Sequence, residues 1–135
     1  MNPALIDTDT ISYYFRGDVN VTAKLNAYLD KQDSVFLSVV TYYEILNGLY
    51  YKDAKKQLAA FERFVELNHI IPLTTSIAQR SAKIYAELRS LGLTIGHNDV
   101  IIAGTALTND FALVTNNIRH FSDIPGLELE NWTVV

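Results

Sequence analysis

Apolar residues along this chain fall into short runs separated by stretches of helical spacing. Pro3-Ala-Leu-Ile6 is one such run, and Ser34–Ser38, Ile70–Leu73, Phe111–Thr115 and Leu127–Asn131 are others; each predicts a short buried strand. Between the runs the period changes to 3.6. A helix follows the first strand and stops at Gly17, because glycine readily takes the positive φ found just past a helix end. Val21–Asp30 predicts a second helix, with Leu25, Tyr28 and Leu29 at helical spacing. Two more are predicted over Val40–Tyr51 and Asp53–Asn68, the latter with Leu58, Phe61, Phe64 and Val65 on one stripe. Ser76–Leu91 turns Ile77, Ser81, Ile84, Tyr85 and Leu88 inward and ends at Gly92, and Asn98–Asn109 forms a further helix.

Short apolar strands alternating with helices belong to a parallel sheet covered on both faces. The expected class is therefore α/β. The 135 residues contain no internal repeat, low-complexity tract or flexible linker, so a single domain over 1–135 is expected. A chain of this size buries roughly two-thirds of its unfolded surface, enough for a real core.

Composition narrows the chemistry. With no cysteine, a disulfide scaffold or thiolate metal site is excluded, which suits a reducing cytoplasm. The N-terminus lacks the basic and long apolar regions of a signal peptide. The apolar stretches Val35–Val40 and Val100–Leu107 are too short to span a bilayer, so a cytoplasmic location is expected. The net charge of −4 argues against nucleic-acid binding through a broad basic face. No P-loop, Gly-rich dinucleotide turn or nucleophile elbow is present.

Ligands of open parallel sheets bind beyond the carboxyl ends of the strands. Asp7 stands directly after the first strand, and Thr115-Asn116-Asn117 directly after Ala112-Leu-Val114. Each also has a plain structural reading: Asp7, Thr8 and Asp9 can cap a helix, and Asn is common in turns. Asp99 says more. At 100° per residue it shares a side with Ile102, Ala103 and Ala106, with Asn98 already available as the cap and no lysine or arginine beside it. A carboxylate turned toward an apolar stripe needs a partner or a metal. Glu44 is weaker, since it lies opposite Tyr42, Ile45, Leu46 and Leu49, and Thr41-x-x-Glu44 fits a capping box. Gly48, one turn later, leaves space beside it. His69, His97 and His120 show no metal-ligand spacing. Arg119 is read as a surface residue, and the tyrosine pairs at 13–14, 42–43 and 50–51 as core and partner surface.

Four segments in order carry a resemblance. Leu5-Ile-Asp7-Thr-Asp9, Ser38-Val-Val-Thr-Tyr-Tyr-Glu44-Ile-Leu, Asn98-Asp99-Val-Ile-Ile-Ala-Gly-Thr-Ala106 and Leu113-Val-Thr-Asn-Asn-Ile-Arg-His-Phe121 together resemble the PIN-domain ribonucleases, and among them the VapC toxins. The ending Ile124-Pro-Gly-Leu-Glu-Leu-Glu-Asn-Trp132 is similar to theirs as well. The resemblance implies a three-layer α/β/α sandwich and an acidic pocket holding Mg²⁺ or Mn²⁺. It implies Asp7, Glu44 and Asp99 as catalytic and metal-holding carboxylates. The fourth acidic position falls on Asn117, a departure that bears on a second metal, and Asp9 is a supporting residue. It further implies an RNA substrate, a VapB-like antitoxin partner and a homodimer.

Three carboxylates about 5 Å apart would repel by roughly 3 kcal/mol per pair at an effective dielectric of 20. A hard divalent cation would relieve that repulsion and present positive charge to a phosphate. Two other readings stay open. Asp7-Thr-Asp9-Thr10 resembles the haloacid-dehalogenase-type phosphatases, with Asp7 as nucleophile, although Ile11 breaks that motif and no lysine follows Lys83. A non-catalytic PIN-like module binding RNA or protein is the other, favoured only by Asn117.

Overall fold

The computed structural model describes residues 2–135. Five short strands form one all-parallel sheet: β1 (Ala4–Ile6), β2 (Phe36–Ser38), β3 (His69–Ile71), β4 (Ala112–Val114) and β5 (Leu129–Glu130), in the order β3-β2-β1-β4-β5. The helices are α1 (Thr8–Phe15), α2 (Val19–Leu29), α3 (Val39–Tyr51), α4 (Lys55–Glu66), α5 (Thr75–Ser90), α6 (His97–Thr108) and α7 (Ile118–Phe121).

Strand alternation divides the core into two layers. Ala4, Ile6, Leu37 and Val114 pack against residues of α1, α2 and α4, together with Trp132. Leu5 and Leu113 point the other way, onto Ile84, Leu88, Ile102, Ala103 and Ala106 of α5 and α6 and Phe121 of α7. Both faces of the sheet are thus covered, giving an α/β/α sandwich. Tyr28 ties the first layer to the sheet: its hydroxyl accepts from the Ala4 N–H at 2.9 Å and donates to the Ser34 carbonyl at 3.1 Å.

The chain builds outward from β1 to β2 and β3, then returns across the sheet to β4. Strand order therefore reverses between β1 and β4, which pair with Ile6 opposite Val114. That reversal opens a crevice at the carboxyl ends of these two strands. The sequence reading of a parallel α/β sheet holds, with differences at the ends of elements. Gly17 and Gly92 do close α1 and α5, at φ 82° and 76°. At both sites the next two N–H groups fold back onto the last turn: Gly17 to Tyr14 and Asp18 to Tyr13, Gly92 to Arg89 and Leu93 to Leu88. The predicted start of α4 at Asp53 is displaced, because Asp53 takes φ 51° and the helix begins at Lys55. The single turn α7 was not foreseen; four residues are too few to show a period. None of the helices among the described residues is long and apolar enough to cross a membrane.

The packing of α5 against α6 is unusually close at one point. A Cβ added to Gly104 would overlap the Ser81 hydroxyl and lie 3.1 Å from Ser81 Cβ and 3.3 Å from its Cα. The buried Ser81 hydroxyl has no hydrogen-bond partner among the described residues. Alanine at 104 would gain about 1 kcal/mol in helix propensity but lose more to overpacking, typically about 1–3 kcal/mol. Gly104→Ala is therefore expected to lower stability in urea unfolding. In a Ser81→Gly background, which removes both the hydroxyl and the Cβ, Gly104→Ala should cost less, and equal destabilisation in both backgrounds would show that the contact is not the cause.

Candidate active site

The crevice is built by backbone register before any side chain is considered. The Asp7 N–H donates to the Val114 carbonyl at 2.8 Å, extending the pairing of β1 with β4 by one residue and setting Asp7 beside Thr115. Asp7 is also the N-cap of α1: its extended backbone ends β1, and its Oδ1 accepts from the Thr8 N–H at 2.8 Å. The other oxygen, Oδ2, accepts from the Thr115 hydroxyl at 2.8 Å. Asp7 is only 5 % exposed, and no cation lies within ion-pair distance among the described residues.

Burial therefore pushes the Asp7 carboxyl up to about 7. Negative charge on Asp9, and to a smaller extent on Asp99, adds to the rise, while the bonds from Thr115 and Thr8 oppose it. Asp9 is held on the same side: its Oδ2 accepts from the Asn116 N–H at 3.1 Å, and its Oδ1 accepts from the Thr10 hydroxyl at 3.1 Å.

Glu44 reaches this region from α3. Its Oε1 accepts a 2.6 Å bond from the Thr8 hydroxyl. Thr8 Oγ also lies 3.0 Å from Thr41 Oγ. Since a hydroxyl has one proton and the carboxylate can only accept, the bonds run from Thr41 to Thr8 to Glu44. The Asn98 amide donates to Glu44 Oε2 at a longer 3.4 Å, linking α3 to the first turn of α6. The capping box expected at Thr41 and Glu44 does not form. Ser38 caps α3 instead, its hydroxyl accepting from the Val40 N–H at 3.1 Å. Glu44 is thereby free to bond across elements.

Asp99 lies in the first turn of α6, but Gly96 rather than Asn98 is the N-cap of that helix. Its side chain is 35 % exposed, so it sits at the mouth of the crevice and not against the sheet. Its Oδ2 is 2.8 Å from His120 Nε2 on α7, the one ion pair among the described residues. As expected, no lysine or arginine pairs with Asp99 among the described residues; its partner is the imidazole of His120. Asn117 is the N-cap of α7. Its N–H donates to Thr115 Oγ at 3.0 Å, and its exposed side chain makes no hydrogen bond among the described residues. Asn116 is taken up structurally, accepting from Asn131 and Thr133.

The residues at these positions belong to a wider pattern. A protein-family model described as the PIN domain matches residues 4–127. Ribonuclease VapC2 of Rickettsia felis is 33 % identical over 105 residues, covering 77 % of this chain and 78 % of its own length. The chain belongs to the PIN-domain family, among the VapC proteins. The tRNA(fMet)-specific endonuclease VapC of Salmonella typhimurium is 34 % identical over 97 residues, 71 % of this chain and 74 % of its own. In three dimensions this PIN domain is similar to the DNA-bound VapBC structure from Salmonella typhimurium, with a TM-score of 0.88 at 28 % identity, covering 98 % of this chain and 99 % of that one. It is equally similar to VapBC2 of Rickettsia felis bound to a promoter DNA fragment, with a TM-score of 0.87 at 28 % identity over 96 % and 98 %.

No three Asp, Glu or His side chains among the described residues sit close enough together to form a ready-made metal cage in this PIN domain. Mg²⁺ does not require one, since it keeps several waters and takes one or two carboxylates plus substrate phosphate. The donor set is of the right kind: hard carboxylate oxygens on Asp7, Asp99 and Glu44, and an uncommitted amide on Asn117. The desolvated Asp7, whose proton affinity is raised by two neighbouring carboxylates, is the feature a cation would relieve.

Sequence reasoning placed Thr115 at the site by position alone and missed Thr8 and His120. Thr115 carried a signal in its position directly after β4. Thr8 and His120 carried none, because their partners are 36 and 21 residues away.

The Asp7 shift has a definite pH consequence. Below about pH 4 the carboxyl is protonated in folded and unfolded chains alike, and the folded state bears no penalty. As pH rises from about 4 through 7, the unfolded chain releases this proton while the folded one retains it, so stability falls. Asp7→Asn keeps a cap-forming side chain and removes the charge. Its Tm is expected to match wild type near pH 4 and to exceed it by about 5 °C or more at pH 8. Millimolar Mg²⁺ should raise the wild-type Tm at pH 8 and leave that of the variant in place. Identical pH profiles by calorimetry would refute the assignment of strain to Asp7.

Proposed function

We propose that this VapC-type PIN domain is a divalent-metal-dependent endoribonuclease and the toxin of a toxin–antitoxin pair. The observation that carries the reading is the gathering of Asp7, Asp9 and Thr115 at the β1–β4 reversal, with Asp99 near enough to raise the Asp7 proton affinity. The relatives named as ribonuclease and endonuclease support it.

Asp7 and Asp99 would hold Mg²⁺ or Mn²⁺, with Asn117 turned toward it directly or through water. Bound there, the ion would supply the positive charge that polarises a scissile phosphate and offsets the chain's net −4. Glu44, fixed by the Thr8 hydroxyl, would orient the attacking water and accept its proton. Attack in line on phosphorus breaks the bond to the 3′-oxygen, which leaves with a proton from solvent. The products carry 5′-phosphate and 3′-hydroxyl ends, and the 2′-hydroxyl takes no part as nucleophile. His120 orients Asp99 rather than reacting, as imidazole partners of metal-holding carboxylates do.

A VapB-like antitoxin is the partner this reading implies, since the similar structures are VapBC complexes. A homodimer is also part of the proposal. The exposed Tyr43, Tyr50 and Tyr51 on α3 provide aromatic surface for such contacts. The phosphatase reading is set aside, because the family is a different one and Ile11 breaks that motif.

The test is cleavage of a single-stranded RNA and of initiator tRNA, for which the Salmonella relative is named. Wild type with Mg²⁺ should cut at least one of them, and EDTA should abolish the activity. Asp7→Asn and Asp99→Asn should each reduce the rate by about 10²-fold or more, at least about 2.7 kcal/mol of lost transition-state stabilisation. Cleavage that persists in EDTA, or at wild-type rate in Asp7→Asn, would overturn the proposal.

A further inference from the structure

The segment that follows β5 carries none of the roles above, although it touches the crevice. Trp132 is its anchor: the residue is 4 % exposed, and its ring centre lies 5.7 Å from that of Tyr28. The two residues that flank Trp132 bond elsewhere. The Asn131 side-chain amide donates to Asn116 Oδ1 at 3.2 Å, and the Thr133 hydroxyl lies 2.9 Å from the same oxygen. An Asx turn sets Thr133 for this contact, with Asn131 Oδ1 accepting from the Thr133 N–H at 2.9 Å. From the other side, the Asn20 amide on α2 donates to the Thr133 carbonyl at 2.9 Å.

Asn116 passes this restraint into the crevice. It is exposed, so water could serve its polar groups, yet its backbone N–H and both ends of its side chain bond within the protein. The N–H donates to Asp9 Oδ2 at 3.1 Å, and the side-chain amide donates to the Tyr13 hydroxyl at 3.4 Å. The Thr115 hydroxyl lies 2.8 Å from Asp7 Oδ2 and 3.5 Å from Asp9 Oδ2, so the two carboxylates meet at one side chain. Holding the chain end does not require the bonds to Asn116, because Trp132 already does so from the core. What those bonds fix is the place of an anionic group.

We infer that Asn131 and Thr133 are positioning residues of the active site, acting through Asn116 to keep the Asp9 carboxylate beside Asp7. The inference rests on the metal-dependent nuclease reading and extends the site to residues 15 and 17 positions beyond Asn116. Two adjacent anions attract a divalent cation more strongly than one. Letting Asp9 swing into solvent therefore weakens the hold on the ion while Asp7, Asp99 and Glu44 stay intact.

The test compares the full chain with Asn131→Ala/Thr133→Val, which removes both donors to Asn116 Oδ1. In the metal-free proteins, NMR should show the Asn116 N–H exchanging with solvent about 10-fold faster in the variant, as for a lost bond to a carboxylate. Mg²⁺ affinity, read from a titration of the amide spectra, should fall about 10-fold, and kcat on single-stranded RNA by a similar factor with KM unchanged. Thr133→Val alone should show part of each loss and Thr133→Ser none, since serine keeps the hydroxyl. Asp9→Asn should also weaken Mg²⁺ binding, and adding Asn131→Ala/Thr133→Val to it should cost nothing further. Unchanged exchange at Asn116, or faster exchange with unchanged Mg²⁺ affinity, would overturn the inference. Losses that add in full to those of Asp9→Asn would overturn it too. A wild type that binds Mg²⁺ but cuts no RNA removes the nuclease reading and leaves Mg²⁺ affinity to judge Asn131 and Thr133. A wild type that binds no Mg²⁺ removes both.

Discussion

A negative charge withdrawn from water is the constraint around which this site is organised. Asp7 ends β1, begins α1 and is pinned by Thr115 from β4, so three elements fix its position before any ligand arrives. Two of its hydrogen bonds favour the anion, but burial and the neighbouring carboxylates outweigh them. The imbalance is local and has a local remedy in a hard cation.

The other polar groups are arranged around this one with different degrees of rigidity. Glu44 is held through a chain of hydroxyls that starts at the fully buried Thr41. Asp99 is half exposed and depends on an imidazole from a single helical turn. Asp7 is thus buried and fixed by three elements, while Glu44 and Asp99 are partly buried and each held by a side chain of another helix.

The sheet was legible because its signal is local: runs such as Ala4–Ile6 and Ala112–Val114 are apolar throughout, as strands covered on both faces must be. Asp7 was legible for the same reason, standing where the run stops. Other features were hidden because they are products of tertiary packing. Asp99 reads from helical angle alone as facing the sheet, yet in the first turn of α6, behind a cap at Gly96, it meets His120. Thr41-x-x-Glu44 has the spacing of a cap, but Ser38 at the end of β2 takes that role, and only the fold reveals the competition.

The single turn α7 has a consequence for how this part of the chain can vary. Asn117 stands at its start, His120 three residues on, and Phe121, 1 % exposed, anchors its end in the core. With Phe121 held in the core, an extra residue between Asn117 and His120 would turn Asn117 by about 100° relative to the imidazole and Asp99. The length of this connection is therefore frozen even where its side chains could change, which makes it a ruler as well as a loop.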